Sequence, residues 1–141
     1  LHFLRRCVAR GIYITYEFMT SEVAVYPNTP LAMDLFNARL VPTLSMLGPI
    51  RYVYEDPAIG KLAGLVRQCQ PLFDPIDQQM FVARNDGQIS DTDAAKVSSR
   101  YLDLLERALE QYRSLTRETF RHLAYRCLAA LQRDGVLRDR R

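Results

Sequence analysis

The densest run of chemistry-bearing side chains lies near the C-terminal end. There Arg117, Arg121, His122, Tyr125 and Arg126 share the side of a helix opposite Phe120, Leu123, Ala124, Cys127, Leu128 and Leu131, and Arg133 stands at its end. Arginine carries a planar fork of donors that meets a carboxylate or a phosphate two bonds at a time. Glu118 is the only acid between Arg117 and Arg133, and from Arg100 onward ten arginines stand against six acids. Residues 1–99 hold nine cations against ten acids, so a basic end sits on a near-neutral body. The chemistry this implies is recognition of an anionic surface: an acidic protein partner first, nucleic acid second. A solvated helix face explains the same pattern without function, since the helix dipole favours cations near a C-terminus. Only Lys61 and Lys96 of the 19 cationic residues are lysines, a bias that GC-rich coding also produces.

Other constellations are weaker. The run Asp86-Gly87-Gln88-Ile89-Ser90-Asp91-Thr92-Asp93 resembles the second half of an EF-hand calcium loop, with Gly at the sharp turn and an acid in the closing position. Its first half fails, because Val82 and Arg84 stand where acidic ligands belong. A turn leading into a helix whose first residues are acidic is the better account. Cys7, Cys69 and Cys127 are far apart and sit on apolar helical faces, and His2 and His122 each precede a cysteine by five positions, which places the pair on different sides of a helix. Neither calcium nor zinc is expected, and no cofactor. Asp74 and Asp77 are close in sequence, as are Glu106 and Glu110, but the first pair reads as a helix start and the second as a solvated face. Nucleophile-elbow, HExxH, P-loop and dinucleotide signatures are absent from the sequence, so the chain is not read as an enzyme.

The elements that must position these residues follow from periodicity and punctuation. Ser90 to Gly135 is proline-free and reads as two amphipathic helices. Val97, Tyr101, Leu105, Ala108, Leu109 and Tyr112 line the first, the second is the basic helix, and a pause falls near Leu115-Thr116. Upstream, His2 to Arg10 reads as a short helix ended by Gly11. Ile12, Ile14, Tyr16 and Phe18 alternate with Tyr13, Thr15 and Glu17 as a strand would, Glu22 to Tyr26 could pair back on them, and Ile50 to Glu55 is a third strand candidate. Thr29-Pro30, Asp56-Pro57 and Asp74-Pro75 each read as a helix start with proline at the first position. Leu31, Leu35, Phe36 and Leu40 would form the apolar side of the helix after Thr29. Gly60 and Gly64 would let another helix backbone approach the helix after Asp56.

The fold class that results is mainly α: a helical bundle organised on two long C-terminal helices, with a small antiparallel β element in the N-terminal half. The 141 residues form a single helical domain, 1–141, and the start without Met suggests a fragment of a longer protein. A hydrophobic share of 48% with 25% charged residues is that of a globular chain and excludes disordered classes. No apolar run is long enough to span a membrane. Three scattered cysteines point to an intracellular, reducing compartment, cytoplasmic or nuclear. The expected function is a non-catalytic protein-interaction or self-assembly module, oligomerisation included. The alternative is a nucleic-acid-associated helical protein using its arginine-rich C-terminal helix, although a net charge of +3 is too small to steer nucleic acid by itself.

Overall fold

Five helix starts are set by one hydroxyl or carboxylate each, accepting a backbone N–H that the first turn would otherwise leave unpaired. In the computed structural model, which describes residues 1–21, 29–41 and 53–136, Thr15 caps α2 (Tyr16–Thr20), Thr29 caps α3 (Pro30–Asn37) and Asp56 caps α4 (Pro57–Asn85). Ser90 caps α5 (Asp91–Glu110) and Thr116 caps α6 (Arg117–Arg133). α1 (His2–Ala9) precedes them and is closed by Gly11 at φ +81°. Gly87, at φ +66°, makes the turn between α4 and α5, where Asp93 bonds Ser90 and Lys96 and Asp91 pairs with Arg84. The acids of the calcium-like run are therefore used in capping and pairing.

The three long helices run up, down and up. Tyr112, just past α5, donates to Asp56 at the start of α4, while Tyr101 in mid-α5 donates to Asp77 far along α4. Arg100, also in mid-α5, grips Asp134 at the end of α6. Between them lies one core: Leu65, Cys69, Phe73 and Met80 from α4, Val97, Tyr101 and Leu104 from α5, and Phe120, Ala124 and Leu131 from α6. The interruption expected near Leu115-Thr116 is there, with Leu115 buried and Thr116 forming a reciprocal capping box with Thr119.

The small β element is not present: the described residues contain no strand. Ile12 to Thr15 forms no helix or strand; the Ile12 N–H returns to the Cys7 carbonyl, and the groups that follow are met by side chains of other elements. The Ile14 N–H donates to Ser98 Oγ at 2.8 Å, the Ser98 hydroxyl donates back to the Ile14 carbonyl, and the Tyr16 N–H donates to Asp77 Oδ2 at 2.7 Å. Thr15 then caps a helix where the alternation called for more strand. Of the four residues expected inward, Ile14 and Tyr16 are buried while Ile12 and Phe18 are exposed. The pairing segment Glu22 to Tyr26 and residues 50–52 of the third candidate lie outside the described residues, and 53–55 form no strand.

Three further readings differ from the structure. Asp74-Pro75 starts no helix, because α4 continues through both Pro71 and Pro75. Each interior proline removes a helix hydrogen bond at a cost of about 3 kcal/mol. The offset is a stripe that stays in register across both, Leu62, Leu65, Val66, Cys69, Phe73, Ile76 and Met80 all being buried. On α3 the inward residue is Ala32, packed with Leu35 and Val41, and Leu31 and Phe36 are exposed. The glycine pair of α4 meets no helix backbone either: a Cβ at Gly60 would touch the Tyr54 ring at 3.0 Å, and Gly64 faces open space.

The centre of the fold is aromatic. Tyr16 stacks on Phe73 with centroids 4.1 Å apart, and Tyr101 meets both rings edge-on. Tyr13 and Tyr101 both donate to Asp77 Oδ1, and Tyr16 donates to the Val66 carbonyl. Burial pushes the phenol pKa of all three tyrosines up, as it must for groups whose ionised form would lose its water. No described helix is long and apolar enough to cross a membrane.

Candidate functional site

α6 is held by the packing of Phe120, Ala124, Cys127, Ala130 and Leu131, which leaves about half of its circumference to solvent. Arg117, Arg121, His122, Tyr125, Arg126 and Arg133 are all exposed on that half. They do not form one face. At 100° per residue, Arg117 and Arg126 lie roughly 180° apart around the axis.

Arg117 and Arg121 border a hollow of about 210 Å³ toward α4, with Leu65, Gln68, Cys69 and Pro71 on its other side. Arg121 also folds back along its own helix: it donates to the Tyr125 hydroxyl at 3.2 Å and its guanidinium lies 5.6 Å from the Tyr125 ring centroid. This pair is a cation–π contact of the i,i+4 kind. His122 borders a shallow depression with Gln111, Glu118 and Thr119. Arg126 and Arg133 face the other way, onto a groove of about 250 Å³ between α5 and α6.

Two residues of that groove, Arg100 and Arg107, are on α5 and escaped the sequence analysis. Their seven-residue spacing is visible in the sequence. That it faces the Arg126–Arg133 spacing depends on the antiparallel pairing of the two helices. Arg100 is already partnered: its guanidinium holds Asp134 through two bonds of 2.8 and 3.2 Å and keeps that carboxyl below its ordinary range. Asp103 and Glu106 on α5 are both bound by Arg5 from α1, so Glu106 is not simply part of a solvated face.

The cysteines near these surfaces are packing groups. Burial pushes the Cys127 thiol up to about 12, with nearby Asp103 adding to the shift, and its Sγ points at the Arg100 carbonyl. Burial also raises Cys69, against the pull of Arg121 and Arg117. Both are therefore thiols near neutral pH, with little thiolate to attack or to bind metal. Among the described residues no three His, Cys, Asp or Glu side chains gather as metal ligands. No protein-family model, curated protein or solved structure matches this chain.

Proposed function

We propose that this chain is a non-catalytic protein-interaction or self-assembly module, and that the outer half of α6 is where an acidic protein surface meets it. One contrast supports this reading above the rest. Three arginines of one helix, Arg117, Arg126 and Arg133, make no ion pair among the described residues, as Arg6, Arg10 and Arg107 do not, whereas Arg5, Arg84 and Arg100 are ion-paired. Unpaired arginines beside a half-exposed tyrosine are the combination that protein interfaces favour. Three free cysteines and the absence of any described disulfide fit a reducing, intracellular setting.

Nucleic acid is the second reading, favoured by the basic excess of the C-terminal third. It ranks lower because the arginines divide between two sides of α6, so that a single phosphate track cannot meet Arg117 and Arg126 together.

Sedimentation velocity across protein concentration, with titrations against poly-glutamate and a generic duplex at low and physiological salt, separates the two. The expected result is a concentration-dependent rise in mass or saturable binding of poly-glutamate, reduced in the Arg121→Gln, Arg126→Gln double variant. Duplex binding should be weak and non-saturating at physiological salt. If four arginines engaged phosphates, the log–log salt slope for the duplex would be about −3 to −4. A sub-micromolar duplex affinity with that slope would reverse the ranking, and silence in every arm would remove both readings.

A further inference from the structure

In the groove between α5 and α6, basic side chains of two elements converge over apolar ones. Leu104 comes from α5, and Leu123, Cys127 and Ala130 come from α6. Arg100 and Arg107 are seven residues apart on one wall, and Arg126 and Arg133 are seven apart on the other. Seven residues of helix rise about 10.5 Å. Because Arg100 is tied to Asp134, one residue past Arg133, and the helices are antiparallel, the four arginines form two pairs. Arg100 and Arg133 stand at one end, Arg107 and Arg126 at the other, roughly 10 Å away.

The charges at the two ends differ. Asp134 already neutralises Arg100, which leaves Arg133 as the surplus there. Arg107 and Arg126 make no ion pair among the described residues, so their end is doubly positive. Asp103, which lines the middle of the groove, is shared between Arg5 at 2.9 Å and Arg100 at 3.7 Å, so its charge is offset. The groove therefore shows surplus positive charge at both ends, with Leu104, Leu123 and Ala130 between them.

We infer that this groove receives an extended acidic segment of a partner protein, with one carboxylate held by Arg107 and Arg126 and a second, three residues on, held by Arg133. The inference rests on the proposed interaction function and gives that partner its chemistry. Three residues of polyproline II chain complete one turn and rise about 9 Å, so carboxylates three apart face the same way at roughly the separation of the arginine pairs. A volume of about 250 Å³ is below the roughly 300 Å³ at which cofactor and drug-sized pockets begin. Discrete carboxylates seat on arginine forks, and a peptide can set uncharged residues beside Asp103 and Asp134, which a phosphate chain charged at every residue cannot do.

NMR titration of the whole chain with a peptide repeating Glu-Ser-Ser tests this, because that repeat puts a carboxylate at every third position. A Glu-Ser repeat of equal charge and a Lys-Ser-Ser repeat serve as controls. The groove predicts saturable, salt-sensitive binding of the Glu-Ser-Ser peptide with shifts centred on Leu104 and Ala130, and weaker binding of the Glu-Ser repeat. Arg107→Gln and Arg126→Gln should each weaken binding about tenfold, the scale of one charge-assisted fork, and Arg10→Gln, exposed just past α1, should leave it unchanged. Melting curves confirm that each exposed-site variant is folded. If Arg107→Gln is silent while Arg117→Gln or Arg121→Gln removes binding, the groove is wrong and the α6 interaction surface stands. If the peptide does not bind, or a duplex of equal charge binds more tightly and depends on the same arginines, the groove and the interaction reading fail together.

Discussion

The stretch from Ile12 to Tyr16 and the hairpin of α5 and α6 solve the same problem in opposite ways. In the hairpin, first-turn N–H groups are satisfied within a turn of sequence: that of Asp93 by the Ser90 hydroxyl, that of Thr119 by the Thr116 hydroxyl. In the N-terminal stretch Ile12 reaches back to Cys7 and Thr15 caps α2, but the Tyr16 and Ile14 N–H groups are satisfied from 61 and 84 residues away, by Asp77 and Ser98. A locally capped helix keeps its identity when its neighbours are perturbed. A segment whose hydrogen bonds belong to the tertiary fold should lose its conformation together with its anchor. The comparison teaches that the run entering α2 depends on the bundle, whereas α5 and α6 carry their start signals in their own sequence.

The strongest way to break this contrast is Phe73→Ala. Phe73 is fully buried in α4 and its ring is the platform for Tyr16. Removing it should cost about 3–5 kcal/mol, and amide exchange should show residues 12–20 losing protection before α5 or α6. Uniform loss of protection across the chain would contradict the asymmetry.

Asp77→Ala comes next. It strands the Tyr13 and Tyr101 hydroxyls and the Tyr16 N–H. Unsatisfied buried donors cost about 1–3 kcal/mol each, partly additive, so a loss of about 2–4 kcal/mol in chemical denaturation is expected. A loss below 1 kcal/mol would mean that water replaces the carboxylate.

The same hub makes a pH prediction. Tyr13, Tyr16 and Tyr101 have folded pKa values above the unfolded value of about 10. The folded state then binds more protons than the unfolded one at alkaline pH. The stability contributed by these groups is intact below about pH 10 and is lost as pH rises toward their folded values. Tyrosinate absorbance should show these three rings ionising only as the circular dichroism signal falls. Ionisation of all the tyrosines near pH 10 with the helical signal intact would refute it.

The smallest effect belongs to the local side. Thr116→Ala removes the α6 cap and should cost about 1 kcal/mol, with exchange quickening only in the first turn of α6. If it loosened residues 12–20 as much as Phe73→Ala does, the two regions would not be separable.

The candidate site divides along the same line. That α6 is basic on its outer half is written in the spacing of Arg117, Arg121 and Arg126, because helical phase alone decides which residues share a side. That Arg126 and Arg133 face Arg100 and Arg107, while Arg117 and Arg121 look toward α4, depends on which helices flank α6. Arg5 binding Asp103 and Glu106 likewise joins α1 to α5 across about a hundred residues, and no local pattern announces it.

Sequence by itself determined the elements whose signals are local. The starts at Thr29, Asp56, Ser90 and Thr116, the stop at Gly11 and the inward stripe of α6 follow from capping and a 3.6-residue period, which need no partner. On α5 the period finds Val97, Tyr101 and Ala108 but turns Leu105 and Leu109 inward where Leu102 and Leu104 are the buried leucines. Tertiary structure decided the rest. It carried α4 through Pro71 and Pro75, because a continuous buried stripe outweighs two lost hydrogen bonds. It turned the alternating Ile12–Phe18 segment away from sheet, because Ser98 and Asp77 supply the partners that a second strand would have supplied, and backbone groups take whichever partner the packed fold brings within reach.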